Sequence, residues 1–358
     1  MSYLLAALGI AVLVLLHEAG HFAVAKMVGM RVERFSLFFG PMLVKFRRGE
    51  TEYGIGPIPL GGYVKITGMN PREELAPELV PRAYYNQPAW KRIVVILAGP
   101  GVNLLIAFAL LMGIAMIHGL AVPTNKVAAG SLTAPGSQYL KAGDKIVAVD
   151  GKRGLSVAAI SKEISSHRCA GAQTRSCQAA TPVLLEIQRS GKLQTFSIAP
   201  RYSPSEKRNL IGFGFGHVNQ QLGPGGAASW SVDEMASVTG ATVSTIAKLF
   251  EPKVRAQLHG IVGGFKVTQQ RFAFDAAEAL GTLALISLSL AIINLFPFLP
   301  LDGGHVFWAV AEKVRGRRIS FEVMERAGAV GFVLIILLGV VGLSNDISTL
   351  SGRGFPTK

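Results

Sequence analysis

The chain has 358 residues, half of them hydrophobic and 16% charged, with 41 glycines, two cysteines and a formal net charge of +14. Its mean hydropathy is +0.40, and its charged share falls well short of the ~25% usual in globular domains. High apolar content with low charge excludes disorder, and two cysteines exclude a disulfide-built mini-domain. The surplus of positive charge points first to nucleic acid. No basic patch interleaved with aromatics accompanies it, so a membrane protein with basic loops is the better account.

Four stretches have the length and purity of membrane helices. The first is uncharged from Tyr3 to Leu16 and continues as HEAGHFAVAKMVGM; it lacks the basic start and small-residue cleavage site of a signal peptide. The others run from Ile93 to about Ile117, from Leu280 to Leu301, and from Ala327 to about Leu343. Ten Lys and Arg lie between Arg31 and Arg92, and Lys313, Arg315, Arg317 and Arg318 lie between the last two helices. Both segments should therefore face the cytoplasm, with the termini and the long 119–279 segment outside.

Between the first two helices, Val32, Phe35, Leu37, Phe39, Ile55, Ile58, Tyr63, Val64 and Ile66 read as short strands broken by Gly and Pro. An edge strand there could pair with an extended peptide; a small amphipathic sheet anchoring the loop is the other reading. Residues 122–202 have soluble composition. Within them Tyr139–Gly151 reads as turn, strand and turn, and 183–198 as a hairpin turning at Ser190-Gly191. Cys169 and Cys177 form a disulfide if this part is extracytoplasmic; two free thiols are the alternative. Residues 203–230 read as a linker, and Ser231-Val-Asp-Glu234 as a capping box opening a helix with a Met235, Val238, Ile246, Leu249 stripe.

The chemistry is concentrated in His17-Glu18-Ala19-Gly20-His21. Histidines at i and i+4 share one helix face and can reach one zinc ion, with the intervening Glu beside it as general base. Ionisable groups at membrane depth cost roughly 2.5–3.5 kcal/mol each. Three within five residues need a reason, and a metal supplies one. A catalytic zinc takes three protein ligands. Asp302 follows 22 uncharged residues, after Pro297 and Pro300 have broken the helix and before Gly303 and Gly304. It is the candidate third ligand, with His305 the competitor.

HEAGH in the first helix, together with Asn294-Leu-Phe-Pro-Phe-Leu-Pro-Leu-Asp302-Gly, resembles the site-2 protease family of intramembrane zinc metalloproteases, in its bacterial RseP-type branch. FSLFFGPMLVKF with TEYGIGPIPLGGYVKITGMNP resembles the family's membrane-associated β-hairpin region. ILAGPGVNLLIA resembles the start of its second membrane helix, and LKAGDKIVAVDG resembles a PDZ domain. The His259–Gly264 segment matches only loosely and receives no role. The resemblance implies zinc held by His17, His21 and Asp302, with Glu18 as catalytic base. It implies that Asn294 holds the substrate strand or the oxyanion. It also implies a single-pass membrane protein as substrate, an anti-sigma factor or signal-peptide remnant, cut in regulated intramembrane proteolysis at the bacterial inner membrane, amid lipid and without nucleic acid.

The expected fold is a polytopic α-helical membrane protein of four transmembrane helices, with a membrane-associated β-hairpin region and one extracytoplasmic PDZ-like α+β domain. In chain order this gives helix one (1–30), a cytoplasmic β region (31–91), helix two (92–118), the PDZ-like domain (122–202), a linker with an amphipathic helix (203–279), helix three with Leu-Asp-Gly (280–303), a cytoplasmic loop (304–326), helix four (327–344) and a tail (345–358). Two other readings stay open: a non-catalytic PDZ-bearing scaffold, and a transporter with a structural metal site.

Overall fold

The computed structural model describes residues 2–70, 72–174, 177–249, 251, 254 and 260–351; His259 and the tail beyond Ser351 lie outside them. The chain divides into two units, Met1–Met116 with Gly223–Lys358, and Ile117–Leu222.

In the first unit, α1 (Ser2–Met27) has 26 residues, about 39 Å at 1.5 Å per residue, enough to cross a hydrocarbon core of ~30 Å. It stops because Gly29 adopts φ +85° and the Met30 N–H reaches back to the Ala25 carbonyl at 2.9 Å, the glycine-ended helix cap. A four-stranded sheet follows: β1 (Val32–Phe39), β2 (Val44–Arg48), β3 (Thr51–Ile55) and β4 (Ile58–Ile66), in the order β2-β3-β1-β4. β2 and β3 form a hairpin around Gly49-Glu50, β1 and β3 run parallel, and β1 and β4 antiparallel.

Helices α2 (Ala89–Ile117), α4 (Pro224–Ala247), α5 (Ile261–Phe274), α6 (Ala276–Asn294), α7 (Asp302–Arg315) and α8 (Phe321–Ser351) complete this unit, α3 belonging to the second. Among the described residues four helices, α1, α2, α6 and α8, are long and apolar enough to cross a membrane. Val330, Phe332, Val333, Ile336, Leu337 and Val340 of α8 are each more than half exposed. In water each such side chain forgoes about 1.5–3 kcal/mol of burial; facing lipid it forgoes little.

One cluster ties the elements together: buried Ala25 of α1, Val32 and Ile66 of the sheet, Tyr84 of the segment before α2, and Val95 and Ile96 of α2, with partly buried Phe22 of α1 and Val306 of α7 packed against them. Asp346 of α8 accepts from the Gly260 and Gly263 N–H groups at 3.0 and 2.8 Å, satisfying otherwise orphaned donors at the start of α5.

The second unit buries a conventional core of Val127, Ile146, Val149, Ile160, Val183, Leu185, Ile187, Ile198 and Ile211. Its sheet runs in the order β12-β5-β6-β8-β9, from β5 (Leu120–Val127), β6 (Lys145–Val149), β8 (Val183–Arg189), β9 (Lys192–Ile198) and β12 (Phe215–Gln220). The short β7 (Lys152–Arg153) pairs with β6, and β10 (Arg201–Ser203) and β11 (Arg208–Leu210) form a separate hairpin. Helix α3 (Val157–Ser166) is capped by Ser156, which accepts from the Ala159 N–H. The β8–β9 turn is Ser190-Gly191, both with positive φ, the twist a two-residue hairpin demands. Cys169 and Cys177 are joined by a disulfide.

Three sequence expectations change. Residues 203–230 are not a linker: they hold β11 and β12, and β12 pairs with β5, so the unit reaches Leu222. Ser231 does not open a helix. α4 begins at Pro224 after Gly223, and the Ser231 hydroxyl donates back to the Ala227 carbonyl at 2.7 Å; proline's fixed φ suits the first helical position better than an interior serine does. The third membrane helix ends at Asn294, and Asp302 starts a separate helix that fills the expected 304–326 loop as far as Arg315.

Candidate metal centre

His17 and His21 lie one turn apart on α1, each 6% exposed, with their rings edge to face at 4.9 Å. Asp302 comes to them because the chain folds back sharply after α6. A Cβ on Gly303 would collide with the Leu295 carbonyl, and one on Gly304 with the Leu299 backbone nitrogen, so only glycines allow α7 to start so close. Val306 then seats α7 on the shared core. At its far end Arg92 Nη2 meets Glu312 Oε2 at 2.6 Å.

The result is a triangle. His17 Nε2 and His21 Nε2 stand 3.2 Å apart, and Asp302 Oδ2 lies 3.2 Å from the first and 3.3 Å from the second. Among the described residues His17, His21 and Asp302 are the His, Cys and acid side chains that gather with ligand spacing. A tetrahedral zinc site with bonds of about 2.0–2.1 Å has ligand-to-ligand edges of about 3.3–3.4 Å. Asp302 Oδ2 is buried without a hydrogen-bond donor. The His21 Nδ1–H donates to the Val95 carbonyl at 2.8 Å, which leaves its Nε2 lone pair pointing into the triangle. Lone pairs facing one another from three sides, out of water, fit a divalent cation and little else.

Glu18 is half-buried on the sheet side of α1. A Cβ on Gly62 of β4 would come within 2.8 Å of its Cγ, so the bare backbone of β4 makes its room. It lies in the electrostatic field of His17, His21 and Asp302. Asn294, the last residue of α6, brings its Nδ2 to 3.5 Å from His17 Nε2. His305 points elsewhere and packs edge-on against Tyr84 at 6.4 Å between ring centres. Burial pushes the Tyr84 hydroxyl well above its ordinary range, so it stays protonated.

Sequence reasoning missed a third contributor, the face of α2 formed by Val95, Gly99 and Asn103. A Cβ on Gly99 would strike the His21 ring. Asn103 is fully buried, and its amide lies 3.2 Å from His17 Nδ1. Asn103 is the single amide between Ile93 and Ile117, and a lone polar side chain in an apolar span was the available signal.

Two imidazoles and a carboxylate around an ion-sized gap, with a second carboxylate beside them and apolar helices all round, define a metal-dependent hydrolase built into a membrane. The comparisons with known proteins agree. The family model described as Peptidase family M50 matches residues 5–338. Zinc metalloprotease Rip1 of Mycobacterium tuberculosis is 33% identical over 94% of this chain and 93% of its own length. Its counterpart in Mycolicibacterium smegmatis is 32% identical over 94% and 92%, and a Clostridium acetobutylicum protein is 28% identical over 97% of both chains. The chain belongs to peptidase family M50, the site-2 proteases.

Proposed function

We propose that His17, His21 and Asp302 hold the zinc ion of an intramembrane metalloprotease and that Glu18 is its general base. The enzyme is a metalloendopeptidase with zinc as cofactor, and it works in a lipid environment on membrane proteins. The observation that supports the ligand assignment is the triangle of 3.2–3.3 Å between two Nε2 atoms and Oδ2.

Zinc, when bound, supplies a Lewis acid that polarises the scissile carbonyl and acidifies water at neutral pH. The Glu18 carboxylate takes the proton of the attacking water and passes it to the leaving amine. The Asn294 amide, beside His17, donates to the substrate backbone or to the developing oxyanion. A helical substrate must be extended before attack. The sheet supports this step, because β4 is an edge strand whose Gly62 touches Glu18, and strand addition there delivers peptide backbone beside the base.

The substrate is a single-pass membrane protein such as an anti-sigma factor or a signal-peptide remnant, cut in regulated intramembrane proteolysis. The protein lies in the bacterial inner membrane with the β region on the cytoplasmic side, where the loops richest in Lys and Arg belong. The second unit is then an extracytoplasmic PDZ-like domain, a position that its disulfide suits.

The test is cleavage of a tagged single-pass substrate by the reconstituted protein. Glu18→Gln is expected to lower the rate by about 10²–10⁴-fold with zinc still bound. Wild-type rates in that variant would remove Glu18 from the mechanism. Unchanged zinc content in His17→Ala would remove the ligand assignment.

A further inference from the structure

The Nε2 atoms of both histidines face Asp302 and are directed by their other ring nitrogens, which are held by α2. His21 has its tautomer set by the Val95 carbonyl, which can only accept. Two turns further along the same face of α2, Asn103 Nδ2 lies 3.2 Å from His17 Nδ1, while Asn103 Oδ1 is buried with no partner. The two ends of an amide are interchangeable in shape. With the amide turned over, Oδ1 accepts the Nδ1–H of His17 and the Nε2 lone pair faces Asp302. The orientation with Nδ2 on the ring requires the proton to sit on Nε2, 3.2 Å from both the His21 nitrogen and the Asp302 oxygen, where it would block the cation. The Asn103 backbone is itself pinned, since Ser287 Oγ of α6 donates to its carbonyl at 2.9 Å.

We propose that Asn103 is the positioning residue of His17: its amide oxygen accepts the Nδ1 proton and so fixes the tautomer and ring plane that present Nε2 to the metal. The inference rests on the reading of His17 and His21 as zinc ligands. It makes α2 an outer shell serving both histidines through one helix face, Val95 by its backbone and Asn103 by its side chain, with Gly99 leaving room for the His21 ring between them. A residue of this kind does not touch substrate. Its loss acts through the metal, and outer-shell partners of metal-bound histidines are worth 10–100-fold in metal affinity.

The experiment is zinc competition against a chromophoric chelator on the detergent-solubilised full-length protein, with folding followed by circular dichroism. Asn103→Leu, close in shape but without an acceptor, is expected to weaken zinc binding by about 10–100-fold. Asn103→Asp, which can only accept from Nδ1–H, is expected to stay within about threefold of wild type or to bind more tightly. Leu binding as well as Asn, or folded Asp failing as badly as Leu, would overturn the proposal; a packing role predicts the first result and a donor role the second. A second readout does not depend on the Asp variant. In the cobalt(II)-loaded protein, the hyperfine-shifted exchangeable imidazole N–H signals are expected to number two in wild type and one in Asn103→Leu, with two in both counting against the proposal. His17→Ala separates the layers: if it holds zinc like wild type, the ligand reading has failed, whereas its losing zinc while Asn103→Leu does not sinks only the role of Asn103.

Discussion

Asp144 of the second unit and Asp302 of the first each hold carboxylate oxygen out of water, and the two are treated in opposite ways. Asp144 of the second unit is 2% exposed and fully answered: both its oxygens accept from the Arg189 guanidinium, at 2.8 and 2.6 Å, and the Lys141 N–H adds a third bond at 2.7 Å. Burial alone would push this carboxyl up, but the guanidinium and the backbone donor hold it below its ordinary value. Asp302 of the first unit has Oδ2 buried without a donor, facing two imidazole nitrogens. A satisfied buried charge is architecture, whereas an unsatisfied one surrounded by lone pairs has the donor set that suits a cation. The surroundings differ as well. The second unit keeps Ile146, Leu185 and Ile187 inside, while the first, beside its own apolar cluster, also buries His17, His21, Asn103 and Ser287 and turns many leucines and valines outward.

The contrast can be broken most sharply at the candidate metal centre. Asp302→Ala is expected to cost more zinc affinity than the roughly 10–100-fold lost with outer-shell partners and to abolish cleavage, while hydrogen exchange across β6 and β8 stays unchanged. Protected exchange lost there as well would show that the two carboxylates are not independent. Gly99→Val comes next. Its side chain has to displace the His21 ring, so zinc content after chelator dialysis should fall severely; retention at wild-type level would show that α2 does not press on the site. Arg189→Leu probes the other carboxylate. Leaving Asp144 buried and unpaired should destabilise the second unit by about 3–5 kcal/mol, read as faster exchange of β8 amides, with zinc content untouched.

The smallest effect is expected at Glu50, which joins Arg82 through two bonds of 2.8 Å and Lys26 through one of 2.6 Å. The Arg82 guanidinium holds its carboxyl at about 2 in the folded protein, against an ordinary 4.5. A depressed pKa contributes stability that is complete above 4.5 and is lost as pH falls toward 2. Glu50→Gln should therefore flatten the acid limb of the unfolding profile and change little at neutral pH, by under about 1 kcal/mol for so exposed a network. An unchanged acid limb would remove Glu50 from that role.

Much of this was legible in the chain. The four apolar runs announced the membrane helices because length and purity are local properties. His17 and His21 were readable as a pair because a helix repeats every 3.6 residues and places i and i+4 on one face. Asp302 was marked by its isolation after an uncharged run and by the prolines and glycines around it. The linker expected at 203–230 failed for a physical reason. Glycine and proline density signals turns, but it does not tell whether the short strands between them find a partner, and β12 finds β5 from about 90 residues away. The capping box at Ser231 failed similarly, because a serine hydroxyl satisfied by its own helix four residues back looks, in sequence, like one that opens a helix.

Local periodicity and composition were sufficient to mark the membrane helices and the histidine pair and to single out Asp302 as a candidate, since each depends on neighbours within a turn or two. Tertiary packing alone decided that Asp302 completes the triangle, that Glu18 lies against the bare backbone of Gly62, and that Val95, Gly99 and Asn103 turn one face of α2 toward the histidines. Which face of an all-apolar helix meets which neighbour is written in no periodicity. It follows from where glycines let backbones approach and where a buried proton must find an acceptor, and both exist only once the helices are together.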